Sequence, residues 1–178
     1  VGPSALDAAL DQAEALLSAG DLESASRLFA QIFEQDSENL KAIAGLARCA
    51  IQKGNFDQAR TTLSLTPRGK ESDPLIAGAQ AALQLAEQAA KMGNLDELVK
   101  KVEAEPSNHQ ARFDLAVGLA AHHQHAEAVE HLLTIVRKDR QWNEDGARKQ
   151  LVQFFEAWGP TDPDTVDGRK RLSSVLFS

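Results

Sequence analysis

The sequence predicts an all-α fold, a right-handed solenoid of antiparallel helix pairs with about ten helices and capping helices at the C-terminal end. Three observations predict it. The motif Gly20-Asp21-Leu22-Glu23-Ser24-Ala25 returns 34 residues later as Gly54-Asn55-Phe56-Asp57-Gln58-Ala59, and a period of that size marks stacked helical hairpins. Of the 178 residues 43% are apolar, only 5% are aromatic and Tyr is absent, which suits thin, closely packed helix pairs better than a sandwich or barrel. Strand signals are nearly missing.

Taken in order, Val1-Gly2-Pro3 reads as linker, with Ser4 as N-cap of a helix from Ala5 to Ala19. Leu6, Leu10, Ala13 and Leu17 give that helix an apolar stripe. Gly20 ends it, because Gly adopts a left-handed corner at least cost. Asp21 caps a second helix, Leu22 to Asp36, in which Ala25 marks the closest crossing of the pair. A second unit follows at Asn39 to Lys53 and Phe56 to Leu65, then a loop from Thr66 to Pro74. A third copy of the corner, Gly93-Asn94-Leu95-Asp96-Glu97-Leu98, joins a long helix, Pro74 to Met92, to a short one, Asp96 to Ala104. The fourth corner, His123-Gln124-His125-Ala126-Glu127-Ala128, keeps the Ala and has lost the Gly. It joins Asn108 to His122 and Ala126 to Lys138. An amphipathic helix, Asn143 to Trp158, carries Phe154, Phe155 and Trp158 on one face, and Gly159-Pro160 ends it. Asp162 caps the last helix, which starts at Pro163 and runs to Phe177. Residues 1–4 are thus expected to be a linker from an N-terminal domain not contained here. Residues 5–178 form one repeat domain of about four repeats plus a cap.

A net charge of −7, with both signs interspersed, argues against nucleic acid and anionic membrane as partners, since both demand concentrated positive charge. One cysteine, Cys49, allows no intrachain disulfide. No apolar run nears the roughly 20 residues that span a bilayer, and a cytoplasmic protein is expected. A start at Val1 suggests a piece of something longer.

Few residues suggest chemistry. Asp162-Pro163-Asp164-Thr165-Val166 matches the D-x-D-x-[TV] pattern of phosphotransferring haloacid-dehalogenase-like enzymes, but that pattern needs a buried strand end and a helix cap accounts for it better. His122, His123, His125 and His131 cluster, and zinc held by His122, His125 and His131 is imaginable; a solvated turn is the plainer reading. Cys49 fits a packed small hydrophobe. No catalytic residue, cofactor or metal is therefore assigned.

Recognition remains. A 34-residue period resembles that of the tetratricopeptide repeat, whose first helices line a concave groove. The groove positions would be Leu10, Glu14 and Leu17; Lys41, Arg48 and Ile51; and Phe113 and Val117, with Asp7, Ala44, Gln110 and Ala120 beside them. The Lys and Asn residues with which related domains clamp chaperone C-termini are replaced here by Leu10, Glu14 and Gly45.

Trp142-Asn143-Glu144-Asp145, Phe154-Phe155-Glu156-Ala157-Trp158-Gly159-Pro160 and Gly168 to Ser178 resemble the end of bacterial thioredoxin/tetratricopeptide fusion co-chaperones, the co-chaperedoxins. The resemblance implies a covalently linked thioredoxin-like domain before the repeats. It also implies a holdase that binds unfolded client proteins and passes them to the chaperonin or the Hsp70 system. The family's docking helix maps onto Asp164 to Ser178, with Arg169, Leu172, Val175, Leu176 and Phe177 as its contact residues. No C-x-x-C occurs, so redox activity does not carry over. The rival expectation is a passive structural or dimerisation scaffold, mating through Phe154, Phe155 and Trp158.

Overall fold

The computed structural model describes residues 3–178, and all the regular structure among them is helical. Ten helices follow one another: α1 (Pro3–Ser18), α2 (Leu22–Gln35), α3 (Leu40–Gln52), α4 (Phe56–Leu63), α5 (Pro74–Ala90), α6 (Leu95–Ala104), α7 (His109–Ala121), α8 (His125–Lys138), α9 (Gly146–Trp158) and α10 (Pro163–Leu176). Helix α1 already begins at Pro3, so Ser4 lies inside the first turn and does not cap it. Val1 and Gly2 of the expected linker lie outside the described residues.

The chain divides into two compact units, residues 1–83 and 84–178. In the first, α1 packs on α2 and α3, α2 on α3, and α3 on α4. Its core holds one cluster around Leu10, Ala13, Ala25, Phe29 and Cys49 and a second around Ile43, Ala47, Ala59, Ile76 and Leu83. Ala25 and Ala59 are fully buried, as expected of side chains at the closest approach of paired helices, where anything larger forces the axes apart.

In the second unit α7 packs between α6 and α8, while α8, α9 and α10 pack on one another. Ala128 repeats the role of Ala25 and is likewise fully buried. Phe154, Phe155 and Leu151 face inward on α9. Gly168 on α10 leaves room for the Phe155 ring, since a β-carbon there would stand 2.6 Å from a ring carbon.

The repeated corners are not all alike. At Gly20 the Asp21 N–H donates to Leu16 and the Gly20 N–H to Leu17; at Gly54 the Asn55 N–H donates to Ala50 and the Gly54 N–H to Ile51. Both glycines are left-handed, with φ of 83° and 79°, the geometry of a Schellman cap. The fourth corner makes the same pair of bonds, Gln124 to Leu119 and His123 to Ala120, with His123 at φ 58°. Gly93 is not left-handed. The corner that lost its Gly therefore keeps the conformation, and one that retains Gly departs from it.

Helix α9 starts at Gly146, three residues later than the periodicity suggests. Asn143, Glu144 and Asp145 have φ of 50°, 55° and 67°, and such left-handed residues cannot continue a right-handed helix.

Candidate protein-binding surfaces

The first-unit groove positions divide into core and surface. Leu10 is only 4% exposed and packs in the cluster with Phe29 and Cys49, so it fills the interior and offers nothing to a ligand. Leu17 leans on the same cluster and Ile51 on the neighbouring one, both half-buried. Arg48 is half-buried, and burial pushes its pKa below the ordinary arginine value. Glu14 and Lys41 are exposed.

In the second unit Val117 is 1% exposed, another core residue, because α7 is covered by α6 on one side and α8 on the other. Phe113 is half-buried under Trp142, ring centroids 5.5 Å apart, and His109 meets the edge of the same indole at 6.0 Å. Trp142 thus covers part of the surface that Phe113 was expected to present. Ala44 and Ala120 are buried as well.

The C-terminal helix is anchored along most of its length. Asp162 Oδ1 accepts the Asp164 N–H at 2.8 Å and the Thr165 N–H at 3.3 Å, so the cap read from the sequence is formed. Leu172 is buried, and the Arg169 guanidinium lies 5.9 Å from the centre of the Phe155 ring. At the other end Arg140 donates to the carbonyls of Leu176 (2.9 Å) and Val175 (2.6 Å), satisfying acceptors that a helix end leaves open. Val175 and Leu176 are half-buried. Phe177, just past the helix, is 86% exposed.

The histidines do not converge. The His122 ring Nδ1 bonds the Gly118 carbonyl at 2.8 Å, and His131 Nδ1 accepts from Arg112 at 3.0 Å. His125 stacks on Trp158 with centroids 3.9 Å apart. Its Nδ1 stands 3.9 Å from an oxygen of Asp162 and 3.7 Å from one of Asp164. The His122/His125/His131 zinc arrangement is therefore not assembled. His125, Asp162 and Asp164 instead bring three potential ligand atoms within 4.8 Å of one another, a grouping the sequence concealed because His125 is far in the chain from the two aspartates. Burial is the larger influence on His125 and lowers its pKa, against the raising effect of the two carboxylates. Cys49 is buried and its thiol is pushed up by that burial, which leaves it a packing residue.

The aromatic stripe is turned inward. Phe154 and Phe155 are at most 2% exposed, so these two rings are not free to mate with a second copy; Trp158 is half-buried and stacks on both Phe154 and His125.

Tetratricopeptide-repeat models match residues 88–177 and 16–83. The chain belongs to the tetratricopeptide-repeat family. Repeats of this family generally mediate protein–protein interaction and are generally non-catalytic. Among curated relatives, uncharacterized proteins of Mycobacterium bovis and Mycobacterium tuberculosis are 24% identical over 165 residues, covering 92% of this chain and 52% of theirs. The chain thus spans about half the length of the curated relatives it matches. A crystal structure of a domain of unknown function from Vibrio parahaemolyticus covers 96% of this tetratricopeptide chain and 99% of its own, at 22% identity and a TM-score of 0.44. Among the described residues no helix is long and apolar enough to cross a membrane.

Proposed function

We propose that this chain is the protein-binding part of a thioredoxin-like co-chaperone, a holdase that takes up unfolded clients and docks on the chaperonin or the Hsp70 system. The observation that carries the reading is Phe177, a large apolar side chain 86% exposed at the end of a helix that is otherwise held down. An exposed aromatic residue beside half-buried Val175 and Leu176 offers the apolar anchor that protein interfaces are built around. The resemblance of the terminal motifs to those of co-chaperedoxins supports the same reading. The greater length of the mycobacterial relatives supports a further domain joined to the repeats, for which a thioredoxin-like fold is the candidate.

Client contact falls, within each unit by itself, to the exposed and half-exposed residues Glu14, Leu17, Lys41, Arg48 and Ile51 of the first and Phe113 of the second. Leu10 and Val117 support these from within. Removing the whole of α10 would uncover Phe155, whose ring Gly168 accommodates, so truncation confounds docking with unfolding. Phe177→Asp avoids this. Wild-type protein should retain chaperonin in a pull-down and Phe177→Asp should lose most of it, with helicity and melting temperature unchanged. Equal capture by both proteins would count against the docking role.

A further inference from the structure

Positive charge gathers near the C-terminal ends of α8 and α10. Arg137, Arg140, Lys170 and Arg171 line an open cavity of about 510 Å3, together with Ser174, Val175 and Ser178, in a chain whose net charge is −7. Glu130 sits between two of the cations: it accepts from Arg137 at 3.1 Å through one carboxylate oxygen and from Arg171 through the other. Asp167 stands 3.9 Å from Arg171. Even with both carboxylates counted, the cations outnumber them. Glu130 and the α10 carbonyls therefore hold the three guanidiniums in place, while each guanidinium, with five N–H groups, keeps donors to spare.

Helix-end electrostatics explain only part of this arrangement. Arg137 lies in the last turn of α8, where a cation offsets the helix dipole. Lys170 and Arg171 stand more than a turn before the end of α10 at Leu176, beyond the reach of that effect.

We infer that this pocket is the docking site for an acidic polypeptide segment of a partner protein, whose Asp or Glu side chains it receives. Guanidinium forks match carboxylates in geometry as well as charge, and Val175 gives the segment an apolar contact. The lining has no aromatic side chain on which a nucleic-acid base could stack. The inference goes beyond client holding and needs only the family's role in protein interaction.

The test is fluorescence anisotropy with a labelled oligo-glutamate peptide and an oligo-glutamine peptide of equal length as control. Wild-type protein should bind the glutamate peptide saturably and release it as salt rises. Lys170→Glu, at an exposed position, should weaken binding by about tenfold, and Lys170→Arg should restore it. Arg171→Gln serves as a second variant, each checked by circular dichroism. Unchanged affinity in Lys170→Glu or equal binding of the glutamine peptide would overturn the inference. So would complete displacement by inorganic phosphate at the peptide's own concentration, which would assign the pocket to a small anion. Suppression of client aggregation should persist in Lys170→Glu, which separates this outcome from a failure of the holdase reading.

Discussion

The ring of Phe29 occupies the space that a β-carbon on Gly45 would need. Such a carbon would lie within 2.6 Å of three ring carbons, and Phe29 is fully buried, so the ring has nowhere to retreat. Gly45 is what lets α2 and α3 approach each other. Gly45→Ala gains helix propensity but overpacks the core, and a net loss of about 1–3 kcal/mol is expected. Urea denaturation measures it. A neutral or stabilised variant would show that the two helices can part without penalty.

His123 makes the opposite prediction. It takes the left-handed corner that Gly20 and Gly54 take elsewhere, at φ 58°, and a β-carbon in that region is strained. The side chain is exposed, so little packing is lost with it. His123→Gly should therefore stabilise the protein by about 1 kcal/mol, read as a raised melting temperature.

Acid should weaken the second unit through two histidines. Arg112 can only donate, so its 3.0 Å bond to His131 Nδ1 requires a neutral ring there. Burial, and then the Arg112 charge, hold the His131 pKa below its ordinary 6.5; burial does the same to His125 despite Asp162 and Asp164. With both folded-state values depressed, the unfolded chain takes up protons first as pH falls. Stability is then full above 6.5 and declines through the window below it. The urea midpoint should drop between about pH 7.5 and about pH 5.5, and His131→Gln should flatten that slope. A midpoint that does not move over this range would mean that neither ring is kept neutral by the fold.

Much of this was readable from the chain because capping is local. Asp21 and Asp162 accept the backbone N–H groups expected of the N-caps read from the sequence, each needing only the few residues after it; Asn39 and Asn94 also cap their helices, although the periodicity places Asn39 inside its helix and starts the other at Asp96. The corner at Gly93 misled because a glycine permits the left-handed state without requiring it. A one-faced view of the first helices places Leu10 and Val117 in a groove, whereas α1 is packed on both α2 and α3 and α7 is covered by both α6 and α8. Trp142 over Phe113, His125 between Trp158 and two aspartates, and the cationic pocket beside α10 depend on segments distant in sequence, so no spacing rule exposes them.

Light scattering of a chemically unfolded client, diluted into buffer with increasing amounts of this chain, bears most directly on whether its surface grips other polypeptides. Aggregation should be suppressed in proportion to the amount added, approaching completion near equimolar protein, and Phe113→Ser should blunt the effect without lowering helicity. A client that aggregates at the same rate with and without the chain would contradict the holdase reading outright.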